Sequence, residues 1–206
     1  DIVKPVAWDF IEWDDTFTGL LKDADFFVFG SLAARNKISN DTLFQLLEIA
    51  KNKVLDINLR APHYNRKIVE QLLQKADFVK MNLAELELIT GWFSNYTSIE
   101  DRMKSIGDKF KISTIVVTMG GDGALLNMNG DIIRHKGFKV DVVDTVGSGD
   151  AFLAGILSQL LNNACGEEAL EFASRLGAFI ATQRGACPEY NGEELNEHIQ
   201  HNNIKI

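Results

Sequence analysis

Sulfur and proline are scarce in this chain. Of 206 residues, two are cysteine and three are proline. Cys165 and Cys187 form no C-x-x-C pair and have no histidine-rich neighbourhood, which excludes a disulfide framework and a thiolate metal site. Buried or idle thiols are expected instead. Pro5, Pro62 and Pro188 are scattered, and no linker, repeat or low-complexity tract interrupts the chain, so a single domain over residues 1–206 is expected. The four histidines, His63, His135, His198 and His201, have no metal or triad spacing and are read as non-catalytic. No apolar run reaches the ~20 residues of a membrane span, and the N-terminus has no signal-peptide layout. Basic residues are also short: 21 Lys and Arg face 29 Asp and Glu, a net charge of −8 with no basic cluster. That balance speaks against a nucleic-acid surface. A cytoplasmic protein without nucleic-acid or membrane partners is the expectation.

What the chain does have is alternation. Hydrophobic residues make up 46% of it, enough for one substantial core. Phe26-Phe27-Val28-Phe29-Gly30 reads as a buried strand entering a loop. Asp41 to Lys51, capped by Asn40 or Asp41, places Leu43, Leu46, Leu47 and Ala50 on one helical face. Strands follow at Val54–Asn58, Phe78–Met81 and Thr114–Thr118. Helices fall around Ile68, Leu72 and Leu73, at Leu83–Thr90 with a stop at Gly91, and at Ile99–Phe110. This alternation predicts βαβ units and a parallel sheet covered by helices. The pattern then changes. Ala124–Met128, Ile132–His135 and Val140–Val143 read as short strands, with Asn129-Gly130-Asp131 as a hairpin turn. Helices at Ala151–Leu161, Glu167–Gln183 and Gly192–Ile199 close the chain; the stripe Phe172, Leu176, Phe179 and Ile180 is read as core.

The most informative segment is Asp144-Thr145-Val146-Gly147-Ser148-Gly149-Asp150. It joins a β-branched run to an apolar helix starting at Ala151. A Gly-Ser-Gly turn there lets amides converge at a helix N-terminus, where unpaired N–H groups and the helix dipole favour an anion. Asp150 then places a carboxylate beside that site, able to accept a proton from a hydroxyl. A loop with a capping Asp is the plainer account of the same residues. Small residues at Ala151, Ala154 and Gly155 suit a helix lying close to a sheet.

Asp144 to Asp150 followed by Ala151-Phe152-Leu153-Ala154-Gly155 resembles the C-terminal signature of the PfkB, or ribokinase-like, family of carbohydrate kinases. The resemblance implies a three-layer αβα fold, mostly parallel with antiparallel strands toward the C-terminal half. It implies Asp150 as catalytic base and the amides of Gly147, Ser148 and Gly149 as an anion hole for the transferred phosphate. Many members have Ala where Ser148 stands. The cofactors implied are ATP and Mg²⁺. Family members carry a further N-terminal segment with much of the sugar site and a lid; nothing here matches it. The chain thus resembles the C-terminal part of a longer protein. Relatives often dimerise through the lid, so the resemblance allows a homodimer of the full-length protein; the sequence itself does not specify the oligomeric state.

Other motifs gain meaning beside it. Asn82-Leu83-Ala84-Glu85 reads as a capping box; it also resembles the family's Asn-x-x-Glu motif, which implies Asn82 at the nucleotide phosphates and Glu85 at Mg²⁺, in part through water. Thr118-Met119-Gly120-Gly121-Asp122-Gly123 is a tight turn or a close backbone approach to a ligand, and it is no Walker A loop. The resemblance places Thr118, Gly120, Gly121 and Gly123 at ATP and Ser174 at its base, though a plain surface serine fits position 174 as well. Asp56-Ile57-Asn58-Leu59-Arg60 ends a strand with polar groups that could satisfy turn amides. It is similar to the Asp-x-Asn-x-Arg segment of fructokinases and 2-keto-3-deoxygluconate kinases, which implies Asn58 and Arg60 at phosphate and sugar. The resemblance also implies that Asp144, Val146, Gln183 and Gly185 hold a monovalent cation such as K⁺. Fructose, phosphorylated to fructose 6-phosphate, is the expected substrate. A 2-keto-3-deoxygluconate kinase or ribokinase is the alternative within the class, and a non-catalytic nucleotide- or sugar-binding relative the alternative outside it.

Overall fold

The computed structural model describes residues 2–193 and residue 195. The chain divides into two compact units, Asp1–Val116 and Val117–Ile206, and the division falls inside one strand.

The first unit contains helix α1 (Thr16–Asp23), strand β1 (Phe27–Gly30), helix α2 (Lys37–Ile49), strand β2 (Lys53–Asp56), helix α3 (Arg66–Leu73), strand β3 (Phe78–Asn82), helices α4 (Leu83–Thr90) and α5 (Ile99–Phe110), and the start of strand β4 (Thr114–Thr118). Strands β1, β2 and β3 are parallel and adjacent, with Gly30 opposite Asp56 and Asp56 opposite Lys80; β4 lies next to β3. Val54, Leu55, Val79 and Met81 are wholly buried, as strands covered on both faces require. Because the strands run the same way, their carboxyl ends lie side by side, and the residues following Gly30, Asp56 and Met81 emerge at one edge.

Local chemistry sets most boundaries. The side chain of Asn36 accepts from the Ile38 amide, so α2 starts four residues before the expected Asp41. Asn65 caps α3 and Ser98 caps α5 by the same chemistry. Lys111 ends α5 in the left-handed region at φ 63°. The Gly91 stop holds in position but not in kind, since Gly91 stays right-handed at φ −59° and the chain winds on through Trp92 and Phe93. Strand β2 ends at Asp56, two residues short of Asn58, because Asn58 turns to φ 40°. Strand β1 is less buried than its composition suggests: Val28 is 49% exposed, for among the described residues β1 is the first strand of the order and pairs on one side only. Helix α1 was not expected.

The second unit contains the end of β4, strands β5 (Ala124–Met128) and β6 (Asp131–His135), and helices α6 (Ser148–Leu161) and α7 (Gly166–Ala181). Next to β4, β5 pairs antiparallel with β6, Met128 opposite Asp131. Asn129 (φ 53°) and Gly130 (φ 102°) make the expected tight turn. The expected strand Val140–Val143 does not form. The Val143 and Asp144 amides bond the carbonyl of Ala181 at the end of α7, so these β-branched residues have no strand to pair with. Gly155 of α6 faces α7 rather than the sheet: a Cβ there would lie 3.1 Å from Cα of Ala173. Leu176, Phe179 and Ile180 are core, as read from their spacing, with Phe172 packed partly buried against them. Both cysteines are free and exposed, not buried. The helix expected at Gly192–Ile199, and His198 and His201, lie largely outside the described residues.

Candidate active site

In the second unit the loop from Asp144 to Asp150 is built by two carboxylate bonds and one glycine. Asp144 accepts from the Val146 amide at 3.0 Å and from the Gly185 amide at 3.3 Å, which draws the loop after α7 onto the loop before α6. Gly147 is the N-cap of α6 in the left-handed region, φ 82°. A Cβ there would lie 2.9 Å from both the carbonyl carbon and Cα of Ala186, so no other residue fits this close approach. The helix therefore begins at Ser148, three residues before the expected Ala151. Ser148, Gly149 and Asp150 form its first turn, and Asp150 is its third residue rather than its cap.

The first intrahelical bond runs from the Ala151 amide to the Gly147 carbonyl, which leaves the amides ahead of it for another acceptor. The Ser148 amide reaches Thr145 only at 3.3 Å, while the Ser148 hydroxyl donates to the Gly177 carbonyl at 3.0 Å and pins the turn to α7. The Asp150 side chain is exposed. What results is a helix N-terminus with a bare first turn and a carboxylate on its rim.

Beside this turn lies a cavity of about 420 Å³. Thr118, Gly120, Gly121, Gly123, Ser148, Gly149 and Ser174 all line it, bringing together the glycine-rich turn after β4, the start of α6 and the middle of α7. Phe138, Val140, Val142, Phe152, Ala178 and Ala181 supply apolar walls and Lys139 a charge. These wall residues between β6 and α6 went unrecognised in the sequence because Val140 to Val143 looked like a strand. The signal of the Gly120–Gly123 turn was legible, but its partner was not: Gly123 and Gly137 both have positive φ, and a Cβ on Gly137 would lie 2.8 Å from the Gly123 nitrogen. Ser174 is buried, 8% exposed, and its hydroxyl has no hydrogen-bond partner among the described residues. It is not the plain surface serine that position 174 also allowed.

In the first unit the candidates gather at the strand ends. Asn82 and Glu85 form the expected capping box, Asn82 Oδ1 accepting from the Glu85 amide and Glu85 Oε2 from the Asn82 amide, each at 2.9 Å. Glu85 Oε1 accepts from the Leu59 amide at 2.8 Å, so the same carboxylate reaches across to the loop after β2. Asn58 and Arg60 are exposed on that loop. Asp56 is buried, and both its oxygens accept from Lys80 Nζ at 3.1 Å. Lys80 escaped notice in the sequence, although a lysine inside Phe78-Val79-Lys80-Met81 is itself the signal of a buried countercharge. Among the remaining candidates, the Gln183 side chain donates to the Thr182 hydroxyl at 3.0 Å, and Gly185 is left-handed at φ 82°. His63 contacts the Ile2 carbonyl and His135 Nδ1 accepts from the Gly137 amide. Burial holds the His135 imidazole below its ordinary pKa, with nearby Arg175 and Lys136 adding to that and Glu171 opposing it. Among the described residues no group of three or more His, Cys, Asp or Glu is arranged to hold a metal, and no helix is long and apolar enough to cross a membrane.

Residues 6–191 match the family described as pfkB family carbohydrate kinase. The chain belongs to the pfkB family. Within it, the chain is 32% identical over 201 residues to a probable chloroplastic fructokinase-6 of Arabidopsis thaliana, covering 90% of this chain and 52% of that protein. It is 29% identical over 168 residues to a deoxyribokinase of Salmonella typhi, covering 81% and 55%. Among solved structures, a fructokinase of Vibrio cholerae O395 with fructose, ADP and calcium ion bound superposes with a TM-score of 0.73 at 29% identity, over 84% of this chain and 60% of that one. The chain thus spans about half the length of the curated relatives it matches. Its α/β fold, with parallel β1 to β3 and antiparallel β5 and β6, is the ribokinase-like fold expected from the sequence. These pfkB relatives and the structural neighbour are carbohydrate kinases.

Proposed function

We propose that the full-length protein is an ATP-dependent sugar kinase that phosphorylates the primary hydroxyl of fructose to give fructose 6-phosphate. One observation carries the reading: the cavity lined by Thr118, Gly120, Gly121, Gly123 and Ser174 opens onto the first turn of α6, where Ser148 and Gly149 also line it and exposed Asp150 follows. A partly apolar cavity leading to bare helix-terminal amides suits a nucleotide, with its base against Phe138, Val140 and Ala178 and its phosphates at the turn. Asp150 takes the proton from the attacking hydroxyl, and the amides of Gly147, Ser148 and Gly149 stabilise charge on the phosphoryl oxygens. Phosphoryl transfer depends mainly on positioning and charge stabilisation, so one base and one preorganised hole are adequate.

Asn82 assists at the phosphates, and Asn58 and Arg60 face the sugar; the planar fork of Arg60 suits a phosphoryl or carboxylate group. Each oxygen of the Glu85 carboxylate already accepts one backbone amide and keeps a second lone pair. Glu85 would therefore contribute to magnesium binding through its remaining lone pairs, as one carboxylate among few, rather than as part of an all-protein cage. Magnesium bound there supplies neutralisation of the phosphate charge. The Asp144–Gly185 bond already joins the loops that contain Val146 and Gln183, which supports a monovalent cation such as K⁺ among those four residues. A homodimer and a cytoplasmic location belong to the same proposal.

Fructose ranks first because Asn58-Leu59-Arg60 resembles the fructokinase segment and a named fructokinase covers 90% of the chain. The deoxyribokinase relative puts pentoses on the same test panel. The test is coupled ADP release by the full-length protein over fructose, ribose, deoxyribose and 2-keto-3-deoxygluconate. Asp150→Ala should lower kcat by roughly 10²- to 10⁴-fold, the usual worth of a general base, with ATP affinity little changed. Near-wild-type turnover in that variant removes Asp150 from the mechanism, and ATP binding without turnover of any sugar by the wild type identifies a non-catalytic binder.

A further inference from the structure

The peptide unit between Asn58 and Leu59 is held from both sides. Its N–H donates to Glu85 Oε1 at 2.8 Å, and its carbonyl accepts from the Ser31 hydroxyl at 3.4 Å, a longer and weaker arm. Ser31 directly follows β1 and Glu85 lies in the first turn of α4 just after β3, so the flanking strands of β2 each contribute one arm. Both arms are buried, Ser31 at 3% and Glu85 at 7% exposure. The residue they hold, Asn58, sits at φ 40°, in the left-handed region that few side chains besides those of Asn and Asp enter. Such a conformation persists only where its surroundings over-determine it. Yet the side chain of Asn58 at the start of this peptide, and that of Arg60 just beyond Leu59, are exposed. A loop with only a structural task has no need to fix one peptide from two sides while leaving its polar side chains in solvent.

We infer that Ser31 and Glu85 are positioning residues that clamp the Asn58–Leu59 peptide and thereby aim Asn58 and Arg60 at the sugar. In its kinetic consequence the inference rests on the kinase reading. Glu85 then serves two directions at once: its Oε2 arm orders the turn at Asn82, and its Oε1 arm orders the loop after β2. Ser31 serves only the second. Pre-ordering the loop removes an entropy cost otherwise met on binding, so the effect should appear in sugar affinity before it appears in turnover.

Two variants of the full-length protein separate the arms. Glu85→Asp keeps the carboxylate but shortens the side chain by one methylene, which draws it back from the Leu59 amide. Ser31→Ala removes one buried oxygen, touches nothing in the α4 turn, and keeps the test open should Glu85→Asp fold poorly. Hydrogen exchange at the Leu59 amide should quicken at least about ten-fold in Glu85→Asp, the equivalent of losing one amide–carboxylate bond. Steady-state kinetics should show the sugar KM rising roughly three- to ten-fold in Ser31→Ala, with kcat and the KM for ATP within about two-fold, as expected for one hydrogen bond acting on substrate binding alone. Unchanged Leu59 exchange in Glu85→Asp overturns the clamp, as does an equal rise of both KM values in Ser31→Ala. If the wild type phosphorylates no sugar, the kinase reading fails, and the Leu59 exchange rates still decide for or against the clamp.

Discussion

Gly147 and Gly185 have the same φ, 82°, in two different surroundings, and this makes them a matched pair. An alanine at either position meets the intrinsic cost of the left-handed region, roughly 1–2 kcal/mol. Either substitution also reduces the freedom of the unfolded chain, a compensating gain of about 0.4–1 kcal/mol common to both. At Gly185 nothing lies within 4 Å of the added methyl, so the balance ends there, near 1 kcal/mol of destabilisation. At Gly147 the methyl lands under 3.0 Å from Ala186 backbone, which cannot rotate away as a side chain can. Overpacking of that kind adds about 1–3 kcal/mol. Gly147→Ala should therefore be less stable than Gly185→Ala by about 1–3 kcal/mol in urea unfolding, with an unchanged m-value. Moving Ala186 also moves the loop that Asp144 ties to Gly185, so turnover in Gly147→Ala should fall beyond what its stability loss explains. Equal midpoints for the two variants would refute the claim that close backbone approach, rather than φ alone, demands glycine at position 147.

Further outcomes follow from the buried charges. Lys80→Met removes the countercharge of Asp56 from a site where both side chains are about one-tenth exposed, and should cost about 3–5 kcal/mol in denaturant melts of the full-length protein. Replacing Asp56 and Lys80 together by apolar residues of similar volume should recover most of that loss, which a double-mutant cycle checks. The Arg35 guanidinium, bonded to both oxygens of Asp9, holds the Asp9 carboxyl down at about 2, against an ordinary 3.8. The sign follows: a carboxyl with a depressed folded pKa stabilises fully above pH 3.8 and loses that contribution as pH falls through about 2. Asp9→Asn should thus flatten the loss of thermal stability between pH 4 and pH 2 measured at about constant ionic strength, the window set by these two pKa values.

How much of this was readable in advance varied with the range of the interaction. Helix α5 fell on its expected residues because its cap, Ser98, and its apolar spacing are local. Asn82-Leu83-Ala84-Glu85 disclosed its reciprocal bonds for the same reason. The glycine-rich turns at Gly120 to Gly123 and Gly147 to Gly149 announced backbone close to something, without saying what. Val140 to Val143 misled, since β-branched residues describe a strand only if a neighbouring strand is there to pair with, and here the amides met the end of α7 instead. Ser31 and the wall at Phe138 carried little signal, and Lys80 signalled a buried countercharge without naming it. Each acquires its role from a partner distant in sequence: Ser31 from Asn58, Lys80 from Asp56, and Phe138 from the cavity around Ser148 and Ser174.

The chain alone determined the class of fold and the residue types of the glycine-rich turn that opens α6. Strand and helix periods, caps and positive-φ glycines act over a few residues, and so they stand written in order. Tertiary structure decided that α6 begins at Ser148, which makes Asp150 part of a first turn instead of its cap, and that one glutamate braces two loops. Those outcomes depend on which amides are left without an acceptor once strands and helices have packed, and that is a property of the folded chain rather than of any segment in it.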